Sequence, residues 1–301
     1  MAQDSFAVGQ VRYETPAPHV ARIVMARQEA HNAQGLQMTY ELNAAFDRAA
    51  RDEEIKVIIL AGDGRNFSAG HDLAGDGGKS WRDFPVVGTW TDFDAKGAEG
   101  RYGREMEIYL EMCERWRNLP KPTIAEVQGK CIAGGLMLAW VCDLIMASDD
   151  ATFKDPVIDF GMPGVEFFMH PWELGIRKGK EFLFTADELG AEEARACGMV
   201  NHVVPRDRLS AETLALAEKI AKKPLFALKT TKAAVNHVQD VQGRRNAQMH
   251  VFSLHQMMHT HNQVVWGMPM DPNGLPAAVR DKVLARVARA REEEAKKSAA
   301  E

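Results

Sequence analysis

Phe67-Ser68-Ala69-Gly70-His71-Asp72-Leu73 and Gly129-Lys130-Cys131-Ile132-Ala133-Gly134-Gly135-Leu136 are the two stretches of sequence that say most about the fold. Each follows an apolar run that predicts a buried strand, residues 57–60 for the first and residues 123–127 for the second. Small residues let a backbone turn sharply and approach a ligand closely. The second stretch also opens an apolar helical segment, and the unpaired N–H groups at the start of a helix bind negatively charged oxygen. Two amides directed at one point would form an oxyanion hole.

The composition is that of an ordinary globular protein. The chain has 301 residues, 46% hydrophobic and 26% charged, so a core of this size needs neither a disulfide nor a metal ion for stability. A net charge of −5 gives no reason to expect nucleic acid or an acidic membrane surface as a partner. The longest nearly apolar run, residues 131–142, is too short to span a bilayer, and no secretory pattern opens the sequence. Four cysteines without paired spacing indicate a reducing, cytoplasmic location.

Strand-like and helix-like segments alternate through the first half of the chain. Residues 20–25 predict a strand, residues 36–51 predict a helix, and residues 104–118 predict a second helix that ends before two prolines. This alternation is typical of the α/β class, in which βα units bury parallel strands between helical layers. Residues 75–103, rich in glycine and aromatic residues, are predicted to form a lid or a pocket wall.

The last third of the chain has a different character. No strand is evident after residue 209, and three segments there have helical periodicity. A boundary near residue 205 divides the chain into a core domain, residues 1–205, and a helical region, residues 206–301. The end of the chain, from about residue 290, is highly charged and is expected to fray.

Both quoted stretches resemble the loops of the crotonase (enoyl-CoA hydratase/isomerase) superfamily. The resemblance extends in family order over about residues 8–230, and it depends on the ordered set of motifs because each motif alone is weak. The further matching segments are Arg27 with Ala30-His31-Asn32-Ala33, Gly62-Asp63-Gly64-Arg65-Asn66, Lys121-Pro122-Thr123-Ile124-Ala125, Cys142-Asp143, Ala151-Thr152-Phe153 with Pro156, and Ala194 with Gly198-Met199-Val200-Asn201. On these motifs the chain is identified as a member of the superfamily.

The resemblance implies a core built as a spiral of ββα turns, followed by a C-terminal helical region used for oligomerisation and pocket closure. It implies a homotrimer or a dimer of trimers, and an acyl-CoA thioester as substrate, with no cofactor beyond the coenzyme A of that thioester. A thioester enolate carries negative charge on its oxygen, which an oxyanion hole stabilises. By position in the family, the two donors are the backbone N–H groups of His71 and Gly134, and the side chain of His71 lines the pocket.

The resemblance also places coenzyme A along the first loop and an early turn of the chain. The positions carried over, which would contact the adenine through backbone groups, are Ala30, Ser68, Ala69, His71, Asp72 and Leu73. For Asp72 a second role is at least as well supported, that of a carboxylate that stabilises the turn through nearby backbone N–H groups.

Two departures from the family pattern concern the chemistry itself. Hydratases of the family carry one glutamate three residues beyond the oxyanion glycine, where this chain has Met137, and another directly after a proline, where it has Val157. Neither side chain can transfer a proton, whereas hydration of a double bond needs a base for water and an acid for the α-carbon. The reaction therefore stays open among hydration, isomerisation and carbon–carbon hydrolysis or lysis.

Other carboxylates lie close by in the sequence. Glu166 stands in an apolar loop, where burial would raise its pKa and suit it to acid–base chemistry. Asp159 lies two residues beyond Val157, so on an extended segment the two side chains would face the same side. We therefore predict Glu166 and Asp159 as catalytic residues, with pairing to Arg177 or Lys178, or exposure to solvent, as the alternatives.

Histidines near the end of the chain suggest a metal site. His255 and His259 are four residues apart and would share a helical face. The sequence supplies no clear third ligand, and methionines surround the pair, so we predict a core or interface role and no metal site.

Two classes of function remain. The chain is predicted to be an enzyme that forms a thioester enolate, or a non-catalytic CoA-thioester-binding homologue that kept the pocket. Met137 and Val157 favour the binding protein, whereas the two glycine-rich loops favour the enzyme. A purely structural subunit of an oligomer would explain neither loop.

Overall fold

The structure of the chain is a computed structural model that describes residues 6–73, 79–275 and 277–298. Its strands are β1 (Phe6–Val8), β2 (Val11–Ala17), β3 (Val20–Met25), β4 (Val57–Gly62), β5 (Thr123–Val127), β6 (Lys130–Ile132), β7 (Leu144–Ser148), β8 (Thr152–Lys154), β9 (Leu189–Gly190) and β10 (His202–Val204). Its α-helices are α1 (Leu36–Arg51), α2 (Ala98–Glu105), α3 (Met112–Arg117), α4 (Gly134–Trp140), α5 (His170–Leu174), α6 (Ile176–Thr185), α7 (Ala191–Ala196), α8 (Leu209–Ala221), α9 (Leu225–Val241), α10 (Arg244–Trp266) and α11 (Ala277–Ser298). The predicted strands at residues 20–25, 57–60 and 123–127 are confirmed as β3, β4 and β5.

Seven strands form one sheet in the order β1-β2-β3-β4-β5-β7-β10. The first two join β3 as antiparallel strands, whereas β3, β4, β5, β7 and β10 run parallel to one another. Val20 of β3 lies opposite Val57 of β4, and Ile58 of β4 lies opposite Thr123 of β5. Because β4 and β5 are parallel neighbours, the loops that follow them leave the same edge of the sheet, which is where ligands bind in such folds.

Both faces of the parallel sheet are buried. Ile58 and Leu60 of β4 face the main core, which α1 and α4 cover, and Val57 and Ile59 face a smaller core beneath α8. The alternation follows from the two-residue period of a strand. A strand with apolar residues on both faces has a continuous apolar sequence, which is the pattern that predicts the α/β class.

A second, three-stranded sheet joins the two glycine-rich loops. It has the order β6-β8-β9, and Ser68 of the first loop adds a parallel bridge to Cys131 of β6. Phe67 N donates to Gln128 O at 2.8 Å, and Ile132 N donates to Ser68 O at 3.0 Å. These bonds hold the two loops side by side as they approach their glycines.

The second predicted helix is longer than the sequence indicates. Helix α2, a π-helical segment (Met106–Glu111) and α3 follow one another directly. Such π-helical turns are rare in proteins, and those that occur often lie at functional sites. Glu107 within this segment is fully buried and accepts hydrogen bonds from the amides of Val87 (2.6 Å) and Gly88 (2.7 Å). The described part of the segment predicted as a lid or pocket wall is thereby tied to the helix, while residues 75–78 of that segment lie outside the described residues.

Helix α10 packs on the core through a face that is mostly polar. The buried residues of this face are Arg244, Gln248, Phe252, His255, Gln256, His259 and Asn262. The guanidinium of Arg244 pairs with the buried carboxylate of Glu114, and the ring of Phe252 meets that of Tyr102 edge to face at 5.0 Å. A long helix that buries so many polar side chains is unusual, because each of them must find a partner.

The predicted boundary near residue 205 falls between β10 and α8, and the chain after it is helical over its described part. Helix α11 continues to Ser298, beyond the residue at which the sequence predicts fraying. Within the described ranges, no helix combines the length and the apolar character that crossing a membrane requires.

Candidate active site

The two glycine-rich loops touch at Gly70 and Gly134. Gly70 has a φ of +91°, and a Cβ added there would lie 2.7 Å from Ile132 O and 3.2 Å from Gly134 N. A side chain at Gly70 would therefore collide with the second loop and would also strain its own backbone. The amide of Gly134 consequently lies beside the backbone that leads into His71.

The amides of His71 and Gly134 have no acceptor within the part of the protein that the structure describes. Gly134 is the first residue of α4, where the N–H groups of the first turn have no helical partner. Ala133 before it has φ +47° and ψ −111°, a conformation that alanine rarely adopts. Strain of this kind is characteristic of functional sites, because the surrounding structure must enforce it. Both amides are thus available to a ligand.

The imidazole of His71 covers Gly134. A Cβ on Gly134 would lie 2.5 Å from Cδ2 and 2.6 Å from Nε2 of that ring. The ring also stacks on Tyr109 with 3.9 Å between the ring centroids. Burial lowers the pKa of His71 to about 4, so the ring is neutral at physiological pH, and its buried Nε2 has no hydrogen-bond partner in the described structure. The result is a neutral ring with an unused nitrogen beside the two amides.

The early turn and the first loop pair with each other through backbone groups. Ala69 N donates to His31 O at 2.9 Å, and Asp72 N donates to Gln34 O at 2.9 Å. The carboxylate of Asp72 forms an ion pair with Arg27 at 2.5 Å. These contacts favour the structural role that the sequence offers for Asp72. The partner shown here is the guanidinium of Arg27, whereas the sequence predicts nearby backbone N–H groups.

Ala30 and Leu73 lie at the two outer ends of this pairing. Ala30 closes a 3-10 helix (Gln28–Ala30) and is partly exposed. The Leu73 side chain is 68% exposed. Both positions can therefore be reached by a ligand that lies along the loop.

Ser68 does not fit the coenzyme A contact predicted for it. The residue is fully buried, its amide donates to Lys130 O at 3.1 Å, and its carbonyl accepts from Ile132 N at 3.0 Å. Its hydroxyl donates to Asn32 O at 2.8 Å and accepts from Gly70 N at 3.2 Å. These bonds use both backbone groups and the hydroxyl of Ser68 to join the two loops, so the residue positions Gly70 and is not open to a ligand.

Asp155 anchors the loop that follows β8. Its carboxylate is fully buried and accepts hydrogen bonds from Val157 N at 3.2 Å, Val165 N at 3.0 Å and His170 Nε2 at 2.8 Å. One carboxylate thus fixes the beginning and the end of the loop. Because Val165 directly precedes Glu166, the bond to its amide sets the point at which Glu166 enters the core.

Glu166 is buried, as its apolar sequence context predicts. Its Oε1 lies 3.5 Å from His255 Nε2, and its Oε2 has no hydrogen-bond partner in the described structure. Burial, and then the charge of Glu105, raise the pKa of Glu166 well above its ordinary value, which favours the protonated acid. The alternative pairing with Lys178 is not formed, since that ammonium binds Glu181 at 2.9 Å.

Asp159 lies on an exposed turn, which does not favour its predicted catalytic role. The residues after Pro156 form a 3-10 helix (Val157–Phe160), so the extended segment assumed from the sequence is wrong. Two residues apart on such a helix point to different sides. Asp159 is exposed, and its backbone carbonyl lies against Gly274. An exposed carboxylate on this turn lacks the burial that suits a carboxyl group to acid–base chemistry, so the structure gives less support to Asp159 than to Glu166 as a catalytic residue.

Met137 and Val157 bring no proton-transfer group to the loops. Met137 lies in α4, three residues after Gly134, and is 2% exposed. Val157 is partly buried and packs against the main core. Because both are packed apolar side chains, an acid–base group for this site must come from elsewhere in the fold.

Glu105 and His255 belong to the surroundings of the site, although sequence analysis assigns neither of them there. The charges of both contribute to the pKa of His71, which places them near the oxyanion loops. Glu105 ends α2, whereas His255 comes from α10, far later in the chain. The four-residue spacing of His255 and His259 is the one sequence signal for this cluster, because only the packing of α10 on α2 brings the carboxylate to the rings.

A cavity of about 520 Å³ lies elsewhere, where α5, α9 and the end of α4 meet. Its lining includes Trp140, Trp172, Glu173 and Lys232 but no residue of the first loop. Burial raises the pKa of Glu173 to about 7. We keep the loops as the candidate site, because the available amides are there and not in this cavity.

Known proteins resemble the chain over both loops and the helices that follow them. The family described as enoyl-CoA hydratase/isomerase matches residues 16–85 and 90–270. A Mycobacterium tuberculosis protein named "Putative enoyl-CoA hydratase EchA13" is 44% identical over 264 residues, which cover 85% of this chain and 81% of that protein. The crystal structure of a "probable enoyl-CoA hydratase" from Mycobacterium smegmatis has a TM-score of 0.79 and 48% identity, and the match covers 88% of this chain and 100% of the other. An enoyl-CoA hydratase/isomerase structure from Xanthobacter autotrophicus has a TM-score of 0.76 and 30% identity, covering 96% of this chain and 99% of the other.

Proposed function

The chain belongs to the enoyl-CoA hydratase/isomerase family, and from this premise we propose that it converts an acyl-CoA thioester through an enolate. The crotonase-like α/β fold that the sequence predicts is confirmed by the matching structures. The observation that carries the proposal is the pair of unpaired backbone amides, His71 N and Gly134 N, on two loops in contact. A developing enolate oxygen needs donors of this kind.

Stabilisation of the enolate is assigned to the two amides. When a base removes a proton beside a thioester, negative charge develops on the thioester oxygen. Donors already held for that charge bind the transition state more tightly than the neutral substrate. The strained turn at Ala133 and the bond from Gly70 N to Ser68 support this role, because they fix the two loops before the substrate arrives.

Glu166 is proposed as the group that moves the proton. It is a buried carboxyl group with one unused oxygen, and its raised pKa suits acid–base catalysis. In its ionised form a single carboxylate can take a proton from one carbon and then, as the acid, return it to another, as isomerisation requires. Because Met137 and Val157 cannot replace the two hydratase glutamates, isomerisation or carbon–carbon hydrolysis or lysis is favoured over ordinary hydration.

Coenzyme A is proposed to lie along the first loop and the early turn, at Ala30, Ala69, Asp72 and Leu73, with no separate cofactor. The partial exposure of Ala30 and the 68% exposure of Leu73 support this path. A cytoplasmic location is proposed with it, since all four cysteines are thiols.

The helical region, residues 206–301, is proposed to close the pocket and to form a homotrimer or a dimer of trimers. Helix α9 supports this because it exposes large apolar side chains, which are Phe226 (77%), Val235 (63%), Val238 (52%) and Val241 (68%). Size-exclusion chromatography coupled to light scattering tests this oligomeric state, and a monomer at micromolar concentration would contradict the proposal.

A second function, a CoA-thioester-binding protein without catalysis, is favoured by one observation. Met137 and Val157 are packed apolar residues at the positions where hydratases of the family carry glutamates. Such a protein would bind thioesters through the same loops and leave their α-protons in place.

Exchange of the α-proton in deuterated water separates the two functions. The protein is incubated with crotonyl-CoA and with longer and cyclic enoyl- and oxoacyl-CoA thioesters, and deuterium incorporation is followed by mass spectrometry. We expect incorporation into at least one thioester, and a loss of about a hundredfold or more in Glu166→Gln. Asp159→Asn is the matched control, because it removes an exposed carboxylate from the neighbouring turn and should keep the wild-type rate.

Each result has a separate meaning. Tight binding of the thioesters without exchange in any of them would establish the binding protein and refute the enzyme. If Glu166→Gln still exchanges the α-proton at the wild-type rate, the enolate mechanism stands, but Glu166 is not the group that moves the proton.

A further inference from the structure

Two histidine rings and a carboxylate converge on one point beneath α10. His255 Nε2 and His259 Nε2 are 3.0 Å apart, and His259 Nε2 lies 3.4 Å from Glu105 Oε1. One ligand atom from each of the three residues lies within 4.8 Å of the other two. The cluster is almost buried, since the side chains of His255, His259 and Glu105 are 2%, 10% and 14% exposed.

The outer nitrogens of both rings are already committed. His255 Nδ1 is 2.9 Å from the carbonyl oxygen of Gly164, and His259 Nδ1 is 2.5 Å from the carbonyl oxygen of Pro269. A carbonyl oxygen only accepts hydrogen bonds, so each Nδ1 carries a proton and donates it. In a neutral ring the other nitrogen, Nε2, then has a lone pair and no proton. If both rings are neutral, two lone pairs face each other across 3.0 Å, and either a metal ion or a shared proton would relieve their repulsion.

Two of the three distances between the ligand atoms fit a bound metal ion, and the third, from His255 to Glu105, is within 4.8 Å. Zinc in a tetrahedral site has bonds of about 2.0–2.1 Å to histidine nitrogen and carboxylate oxygen. Ligand atoms at the corners of such a tetrahedron are about 3.3 Å apart. The distances of 3.0 Å between the two Nε2 atoms and 3.4 Å from His259 to Glu105 are close to that edge.

The groups behind the three side chains are those that metal sites need. Histidine ligands characteristically donate their second N–H to a backbone carbonyl, and ligating carboxylates are themselves hydrogen-bonded. Both rings meet the first condition, and Gln256 Nε2 donates to the remaining oxygen of Glu105. Glu166 Oε1 lies 3.5 Å from His255 Nε2, so a further carboxylate is adjacent to the cluster. The partial exposure of Glu105 and His259 leaves an entry path for an ion.

We propose that Glu105, His255 and His259 form a binding site for a divalent transition-metal ion, of which Zn²⁺ is the representative. Two imidazoles and one carboxylate suit zinc, iron, cobalt or nickel, whereas magnesium and calcium prefer all-oxygen sites. The proposal departs from the absence of a metal expected from the sequence, because the structure supplies the third ligand from α2. It does not depend on the enolate chemistry, since it concerns residues outside the two loops.

Metal binding by the full-length protein tests the proposal. The protein is treated with a chelator, dialysed, and titrated with Zn²⁺ and with Co²⁺, whose visible absorption reports a low-coordinate site with nitrogen ligands. We expect about one equivalent of tightly held ion and an intense Co²⁺ spectrum in the wild type. In His259→Gln the affinity should fall by more than about a hundredfold, because a ligand is lost and not merely its support. His261→Gln is the matched control on the same helix, since that side chain is exposed.

The competing arrangement is a single proton shared by the two rings, which needs no metal. It predicts no retained Zn²⁺ and no intense Co²⁺ spectrum in the wild type, and that result would overturn the proposal without any variant. Unchanged affinity in a folded His259→Gln protein would overturn it as well. Loss of metal affinity in His259→Gln, with full metal affinity in His261→Gln, would support the proposal. The outcome of the α-proton exchange assay does not affect this test, because the two experiments measure different sites.

Discussion

Removal of one oxyanion donor is the sharpest test of the proposed mechanism. Proline at Gly134 deletes the N–H, and the first position of a helix is where proline is best tolerated. The ring of His71 prevents the simple substitution, because a Cβ at Gly134 would lie 2.5 Å from its Cδ2. We therefore place the change in a His71→Ala background. Ala133 before it, with φ +47° and ψ −111°, is not in the α conformation that proline disfavours in its predecessor, but it also lies outside the extended region that proline prefers there, so a check that the proline variant folds is essential.

The informative comparison is between His71→Ala/Gly134→Pro and His71→Ala/Gly134→Ala. Both proteins lack the ring and carry a Cβ at position 134, and they differ mainly in the amide proton. Loss of one oxyanion donor costs about 3 kcal/mol of barrier, which is about a hundredfold or more in rate. Global stability should change little, because this amide has no acceptor in the described protein.

The assay is the rate of α-proton exchange in deuterated water, with the best thioester of the panel at saturation. Circular dichroism and thermal denaturation show whether both double variants are folded. We expect the alanine protein to exchange about a hundredfold faster than the proline protein. Equal rates in two folded proteins would show that Gly134 N does not stabilise the transition state.

Three further predictions concern stability, measured by urea denaturation. Burial holds the pKa of His71 at about 4 in the folded protein, against 6.5 in the unfolded chain. The unfolded state therefore takes up the proton first as the pH falls, and the free energy of unfolding should decrease by about 2 kcal/mol between pH 7 and pH 5 because of this ring. The variant His71→Gln should lack that part of the decrease. Arg244→Met should lower the free energy of unfolding by about 3 kcal/mol, because the buried carboxylate of Glu114 loses its buried partner. Arg245→Met removes an exposed cation 3.3 Å from the same carboxylate and should lower it by less than about 1 kcal/mol. Asp155→Ala should cost about 3 kcal/mol, since it leaves buried donors unpaired; a loss under about 1 kcal/mol would show that this carboxylate does not anchor its loop.

The framework of the core could be predicted because each of its elements has a strong local pattern. The continuous apolar runs of β4 and β5 and the helical spacing of α1 fix both the type and the position of these elements. The two glycine-rich loops could also be predicted, since only glycine meets the requirements at Gly70 and Gly134.

Two predicted site residues, Ser68 and Asp159, lack structural support for a common physical reason. Ser68 belongs to a loop that binds ligands in the family, but its hydrogen bonds depend on how β6 lies beside that loop, which no local pattern specifies. The prediction for Asp159 depends on an extended backbone, whereas this segment forms a 3-10 helix, a short element with a weak sequence signal.

The cluster on α10 shows the same limit in its clearest form. The spacing of His255 and His259 is visible in the sequence, but the carboxylate of Glu105 reaches them only through the packing of two distant helices. Contacts between distant segments depend on the tertiary fold, so the sequence indicated half of the cluster and could not complete it.

The contact between the His71 ring and Gly134 also constrains how this site can evolve. Because any side chain at position 134 would occupy the space of the ring, the two positions cannot change independently, and the order of substitution matters. Alanine at position 134 is accommodated most simply after the ring at position 71 has been lost. In the reverse order the buried ring, which stacks on Tyr109, would have to shift, so that path disturbs the pocket before any benefit can follow.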